Sequence, residues 1–584
     1  MVSQQFTGIT RSTDAPLAQA ADAAWITRVT DTTDNTGAPD SATPAIPVVP
    51  LQGLSFAVKD NMDVAGLSTT AGCPAFAYIP QQHAHVVQRL LQAGATLQGK
   101  TNLDQFACGL NGTRSPYGPV PNALNHAYVS GGSSSGSAYV VASGQVDFAL
   151  GTDTAGSGRV PAGLNNIVGL KPTRGLISAR GVVPAAQNID CVSIFARTVA
   201  VAAQVLEACM GYDEADPFSR HVPMATQALP AQFRFGVPDS LEFFGDALAE
   251  AAFAQSMAQL TAVGGQAVTI DYAPLAQAAA MLYESALVSQ RYAAIQDFFD
   301  THEDAVIEPV RSIVAKGRKY SAADYIRADI EVKRLRQVAE RMWQDIDVLL
   351  VPTAPTHYTV AQMQADPVVL NRNLGQYTNF VNLFDYAALS VPSCIRPDGL
   401  PFGITLIGRA GSDWQLAELG QRYHHATGLS LGATSQALPE PQPIAGLQAP
   451  ATVRVAVVGA HLSGMPLNGQ LTERGARLVG PADTASDYRF FALPDSQPPK
   501  PGLLRVAPGQ GGRIALEIWE IPAAHYGSFV ALIPAPLGIG TLLLADGTQV
   551  QGFVCEAQAL AAATDITHLG GWRAYVASLA KPVA

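Results

Sequence analysis

Between about residue 50 and residue 430, short apolar runs of β character alternate with stretches of helical spacing, a rhythm that points to an α/β fold. LSFAVKD (54–60) alternates apolar and small residues and ends at Lys59 and Asp60. HVVQRLLQAG (85–94) has helical spacing, with Gly94 placed to stop it. ATLQGKTN reads as a strand, and SAYVVASG (137–144) starts another helix. Helices are also predicted over 247–263, 276–300 and 322–344, and a buried strand over 345–352. Of the 584 residues 48% are apolar and only 14% charged, a balance that suits a large buried core and excludes a disordered scaffold.

The rhythm changes after residues 431–452, a Pro-, Ala- and Gly-rich stretch that reads as a linker. VRVAVVGAHL, YRFFALP, IALEIWEIP and FVALIPAPLGIGTLLLADGTQVQGFV look like strands and hairpins, with Asp546-Gly547 as a turn signal. Helical pieces near 556–564 and 571–579 follow, which predicts a small α+β domain over 453–584 behind a larger one over 1–430. The net charge of −11, with no basic cluster, argues against a nucleic-acid partner. Neither a signal peptide nor an uninterrupted apolar span is recognisable, so the expected location is cytoplasmic, away from a membrane. The six cysteines are scattered without a C-x-x-C and are read as reduced thiols.

Three segments hold the candidate chemistry: Lys59 at a strand end, the loop SGGSSSGSA (130–138), and GTDTAGSGRVPAG (151–163) with Ser157. A serine hydroxyl is a poor nucleophile until a base takes its proton. Lysine can be that base only if burial destabilises its ammonium. Glycines around a serine let backbone N–H groups converge on one point, the geometry of an oxyanion site. These features are compatible with acyl transfer. A lysine ending a strand is, however, more often a surface residue, and a lone Gly/Ser loop more often a turn. The loop could also bind phosphate, but no G-x-x-x-x-G-K-[ST] is present, which argues against a P-loop. Gly132-Ser133-Ser134-Ser135-Gly136 also matches the G-x-S-x-G nucleophile elbow, making Ser134 a rival nucleophile. That rival needs a histidine, and His221, His302, His357, His424 and His425 are all available without a distinctive setting.

The ordered set AVKDNMDVAG, GKTNLDQFACG, SGGSSSGSAYVVASG, FALGTDTAGSGRVPAG, GLKPTRGLISARGVVP and LSVPSCIRPDGLPFGITLIG resembles the amidase-signature family, over roughly residues 50–425. The resemblance implies a mixed β-sheet core covered by helices, with an N-terminal helical segment. It implies Lys59 as the base, Ser133 as a bridging serine in a cis peptide, and Ser157 as the nucleophile. Backbone N–H groups of Thr154, Ala155, Gly156 and Ser157 match the oxyanion hole. Asp153 and Arg159 are expected to pair and fix this loop.

Ala155-Gly156-Ser157-Gly158, LYESALVSQRY (282–292) and LGQYTNFVNLFDYAALSVP (374–392) look like the allophanate hydrolase branch of that family. Allophanate is urea carrying a carboxylate, and arginine suits a carboxylate through bidentate, charge-assisted bonds. Tyr283 and Arg291 match the branch residues that hold it. They are predicted to lie on one helix about two turns apart, facing one side. Asn379 or Asn382 is expected to line the same pocket. The runner-up reading is a general small-amide amidase or part of a glutamine-dependent amidotransferase; a non-enzymatic assembly protein comes third.

Residues 453–584 resemble the C-terminal domain of allophanate hydrolases, whose fold is similar to γ-glutamyl cyclotransferase. There His461, in VVGAHLSGMPLNGQL, is a candidate for assisting decarboxylation of the released intermediate, or a satisfied loop histidine. No cofactor or metal is expected. No biotin-attachment motif or ATP-binding domain is recognisable, so urea carboxylase is expected as a separate protein supplying allophanate. A homodimer is implied by the resemblance alone.

Overall fold

The computed structural model describes residues 23–29, 50–448, 451–494 and 497–579, so the expected N-terminal helical segment lies largely outside the described residues. Two compact units divide between Gln448 and Ala449.

The first unit is built on eleven strands: β1 (Trp25–Arg28), β2 (Ser55–Lys59), β3 (Thr96–Thr101), β4 (Phe148–Asp153), β5 (Val168–Lys171), β6 (Cys191–Ala196), β7 (Phe233–Pro238), β8 (Gly265–Ile270), β9 (Val348–Pro352), β10 (Ala387–Ile395) and β11 (Pro401–Gly408). They form one mixed sheet in the order β1-β3-β2-β4-β6-β5-β10-β11-β9-β7-β8. β2 runs parallel to both β3 and β4, while β4 pairs antiparallel with β6. Successive side chains alternate between the faces of a strand. Phe56, Val58, Phe148 and Leu150 accordingly join one apolar core, and Ala57 and Ala149 another on the opposite face.

Capping marks several helix starts. Asp246 accepts Ala249 N–H ahead of Ala247–Ala262, and Ser321 and Asp324 form a reciprocal capping box ahead of Ala322–Ala339. The helices His85–Gln92, Ser135–Ala142 and Ala247–Ala262 fall close to their predicted spans. The single helix predicted over 276–300 does not form. Helix Ala273–Glu284 ends at Ser285, whose hydroxyl donates to Met281 O at 2.6 Å and accepts Leu287 N–H at 3.2 Å. Two short helices follow, Ser289–Ala294 and Gln296–His302. A serine bonding its own backbone in both directions competes with helix continuation. The helix predicted over 322–344 likewise ends at Ala339, with a 3₁₀ turn beyond.

Residues 431–448, expected as linker, lie against the first unit. Ala433 N–H donates to Ala142 O, Gln448 N–H donates to Thr226 O, and Ile444 is buried in the main core.

The second unit holds strands β12 (Thr452–Val457), β13 (Arg477–Asp483), β14 (Tyr488–Ala492), β15 (Pro501–Arg505), β16 (Ala515–Pro522), β17 (Leu537–Leu543), β18 (Gln549–Cys555) and β19 (Thr564–Asp565). Five pair in the order β13-β16-β12-β18-β17 and three in the order β15-β14-β19, around a core that includes Tyr488, Phe490, Trp519, Phe529 and Trp572. β17 and β18 form a hairpin whose turn holds Asp546 and Gly547, the latter at φ 85°. Phe529 and Val530, read from sequence as strand, instead end helix Ala523–Val530. Among the described residues no helix is long and apolar enough to cross a membrane.

Candidate active site

Lys59 is the last residue of β2, and the register Val58↔Leu150 carries it alongside the end of β4. The site thus lies at the carboxyl ends of parallel strands, where open α/β sheets bind ligands. Lys59 is fully buried. Its Nζ donates to Ser133 Oγ at 2.8 Å, Ser134 Oγ at 3.0 Å and Thr152 Oγ1 at 2.7 Å. Three donations use all three protons of the ammonium; in the neutral amine, which has two, one of these hydroxyls turns to donate to Nζ. Burial pulls the Lys59 pKa down to about 7, with the charges of Asp104, Asp190 and Asp153 opposing the fall.

The Gly132–Ser133 peptide is cis. Ser134, the rival nucleophile, donates its hydroxyl to Thr152 O at 3.2 Å and accepts Thr152 N–H at 3.3 Å. Among the described residues no histidine bonds to it. His357 faces Pro401 O, His424 is buried on another helix, His302 bonds Thr301, and His221 stacks on Tyr212. The elbow reading of G-x-S-x-G therefore lacks its base.

Ser157 sits in the loop between β4 and the short helix Val160–Leu164. Its hydroxyl donates to Gly109 O at 3.4 Å, its one hydrogen bond among the described residues. The backbone N–H groups of Thr154, Ala155, Gly156 and Ser157 donate to no protein acceptor among the described residues, which leaves them free to receive a developing oxyanion. Asp153 and Arg159 do pair, Nε and Nη2 each donating to the carboxylate at 2.9 Å. Burial works against ionisation of Asp153, yet the Arg159 guanidinium, with Lys171 and the Gly158 N–H, holds the carboxyl below its ordinary range. Gly156 has φ 142°, and a methyl group there would overlap the Thr378 side chain. A methyl on Gly158 would overlap Ser193. Thr154 Oγ1 donates to Asp190 Oδ1 at 2.5 Å, and Asp190 in turn accepts the N–H groups of Ala185 and Ala186.

Tyr283 and Arg291 meet, but not as neighbours on one helix. Tyr283 is on Ala273–Glu284 and Arg291 on Ser289–Ala294, beyond the break at Ser285. Arg291 Nη2 donates to Tyr283 OH at 2.9 Å, with the guanidinium carbon 4.9 Å from the ring centroid. Arg291 is 5% exposed, and its Nη1 has no partner. The two asparagines separate clearly. Asn382 Nδ2 donates to Asp153 O and Ile189 O, and its Oδ1 accepts Arg159 Nη2, so this amide braces the Ser157 loop. Asn379 is buried with an unpaired Oδ1.

Sequence reasoning missed Thr152, Asp104 and Asp190. A polar residue next to the end of the apolar strand FALGTD was a signal for Thr152, Asp104 stands inside the motif GKTNLDQFACG, and nothing in the sequence marks Asp190.

In the second unit, His461 lines a cavity of about 210 Å³ with Gln470, Lys500, Leu532, Pro534 and Phe553. Its Nε2 lies 2.9 Å from Gln470 Oε1, and its ring stacks on Phe553. Burial lowers its pKa.

The sequence matches the protein-family model described as Amidase over residues 17–417, and that of the Allophanate hydrolase C-terminal domain over residues 453–577. Urea amidolyase of Saccharomyces cerevisiae is 43% identical over 546 residues, which cover 91% of this chain but only 30% of that protein. Urea amidolyase of Lachancea kluyveri is 43% identical over 541 residues, covering 90% of this chain and again 30% of that protein. The chain therefore spans less than a third of either relative. Among solved structures, the selenomethionine-substituted allophanate hydrolase of Kluyveromyces lactis superposes with a TM-score of 0.76 at 42% identity, covering 91% of this chain and 89% of that one.

Proposed function

We infer the reaction from one premise: this chain belongs to the amidase family. The reading is hydrolysis of allophanate (urea-1-carboxylate) through a seryl acyl-enzyme. One observation carries the choice of substrate. A buried arginine with an unpaired Nη1, braced by a tyrosine hydroxyl, is a costly arrangement unless an anion completes it. A planar carboxylate fits that fork, and plain amides have nothing to offer it. The likeness of both units to allophanate hydrolase supports the same choice. Asn379, with its free carbonyl, faces the substrate in this reading, while Asn382 holds the loop.

The steps follow from the residues in place. Neutral Lys59 takes the Ser157 proton through Ser133 as Ser157 Oγ attacks the terminal carbamoyl carbon. The N–H groups of residues 154–157 receive the oxyanion. The proton returns through Ser133 to the departing nitrogen, the C–N bond breaks, and ammonia leaves. Water, deprotonated by the same relay, opens the acyl-enzyme and releases N-carboxycarbamate, which breaks down to a second ammonia and two molecules of carbon dioxide. His461 and its cavity are assigned to that last decarboxylation. Allophanate comes from a urea-carboxylating activity, the protein acts in the cytoplasm, and its assembly is a homodimer.

Ammonia release from allophanate, measured beside urea, malonamide and glutamine, tests the assignment. Allophanate should be turned over far faster than the others, and Arg291→Ala should remove that preference. Faster turnover of glutamine or malonamide, indifferent to Arg291, would leave an amidase with another substrate.

A further inference from the structure

The mechanism leaves one buried carboxylate beside the relay without a role. Asp104 is fully buried and forms no ion pair among the described residues. It follows β3 and opens the short 3₁₀ turn Gln105–Ala107. Its Oδ2 accepts the N–H groups of Asn111 at 3.2 Å and Gly112 at 3.1 Å, and its Oδ1 accepts that of Arg114 at 3.0 Å. Its own N–H donates to the carbonyl of Ser133 at 3.1 Å. The carboxylate is also wedged between two glycines, since a methyl group on either Gly132 or Gly109 would overlap Oδ2. Gly132 begins the peptide that carries Ser133, and the carbonyl of Gly109 accepts the Ser157 hydroxyl.

We infer that Asp104 is a positioning residue for the proton relay, holding the Gly132–Ser133 peptide and the Gly109 carbonyl in one frame and so fixing where the bridging and nucleophilic hydroxyls stand. This rests on the Lys59–Ser133–Ser157 relay proposed above, though not on the identity of the substrate. Backbone N–H groups on a buried carboxylate make charge-assisted bonds, stronger than neutral ones and directional. A single side chain thereby ties the loop 105–114 to the serine loop. Its charge reaches the base as well: of the groups that hold the Lys59 ammonium up against burial, Asp104 contributes most, ahead of Asp190 and Asp153, while Arg291 opposes them.

The test uses the full chain and a substrate-independent probe, phenylmethanesulfonyl fluoride. The Ser157 oxygen forms a bond to sulfur, the S–F bond breaks, and the serine proton leaves through the relay; mass spectrometry reads the adduct. Labelling rates are taken across pH for wild type, Asp104→Asn and Asp104→Glu, with ammonia release from allophanate in parallel. In Asp104→Asn the plateau rate should fall about 10- to 100-fold, the usual cost of a small misplacement. Its pH midpoint should also move below that of wild type, because the base has lost its strongest supporting anion. Asp104→Glu should restore the midpoint while the plateau stays low, since the longer side chain does not fit between Gly109 and Gly132. A lowered plateau with an unmoved midpoint in Asp104→Asn is what general loosening gives, and it overturns the inference. Should Asp104→Asn not fold, Asp104→Glu decides alone: a wild-type plateau there refutes the wedge. Wild type that labels at Ser157 yet ignores allophanate would sink the substrate assignment and leave this inference standing. Wild type that fails to label at Ser157 sinks the relay and the inference together.

Discussion

Lys59 in the first unit is fully buried and His461 in the second partly so, and burial lowers the pKa of each nitrogen. Their surroundings differ in kind. Lys59 faces three hydroxyls, with carboxylates in the background that stop its pKa near 7. His461 has one amide partner, an aromatic face, and an open, largely apolar cavity. The first setting fixes the position of the amine and brings its titration close to neutrality. The second offers room and one polar contact, which holds a molecule without laying out a path for its proton. Depressing a pKa by burial is therefore only half of making a base; the other half is a set of partners that fixes where the proton goes.

The sharpest way to break this contrast is at the nucleophile. Ser157→Ala should lower ammonia release from allophanate on the order of 10⁴-fold or more, and Ser134→Ala far less, as initial rates would show. Equal losses would make the first site a diffuse cluster of hydroxyls and no relay. Next in size is Arg291→Ala, expected to cost about 100-fold in kcat/KM for allophanate, with little effect on malonamide.

Acidity sharpens the comparison further. Only the neutral amine of Lys59 accepts a proton, so kcat/KM should climb as pH rises through about 7 and level off above it. Below that point the loss should be about tenfold per unit. A rate still climbing at pH 9 would mean a lysine with ordinary solvation. The smallest effect belongs to His461→Asn, which should leave the first ammonia release unchanged and slow only carbon dioxide evolution. Full carbon dioxide evolution in that variant would reduce the second unit's cavity to a structural hollow.

The local motifs alone left a surface lysine and a plain turn as open readings, and the family resemblance chose among them; the structure brings Lys59 and Ser133 into contact. Lys59 ends an alternating strand, and Ser133 and Ser157 stand among glycines required by close packing. The pairing of Asp153 with Arg159 needed only their spacing in one loop. What could not be read was set at a distance or by a single side chain. Nothing local announces that Ser285 turns its hydroxyl onto the backbone and breaks a helix. The resemblance pairs Tyr283 with Arg291, and the expectation that one helix carries both fails; they meet across that break. Helix Ala523–Val530 holds too few periodic apolar residues to stand out from the strands beside it. Asp104 and Asp190 act through backbone N–H groups, which leave no trace in side-chain pattern.

The glycine at 158 has a consequence in the language of genetics. Its missing methyl is a mould of Ser193, a residue on a neighbouring strand. Position 158 cannot drift alone: an alanine there collides with the serine, and only a prior loss of that side chain makes room. The two sites therefore form an ordered pair in sequence space, in which Ser193→Gly is permissive and Gly158→Ala is tolerated only on that background. The nucleophile loop inherits its rigidity in that form, as a constraint on the order in which its neighbours can change.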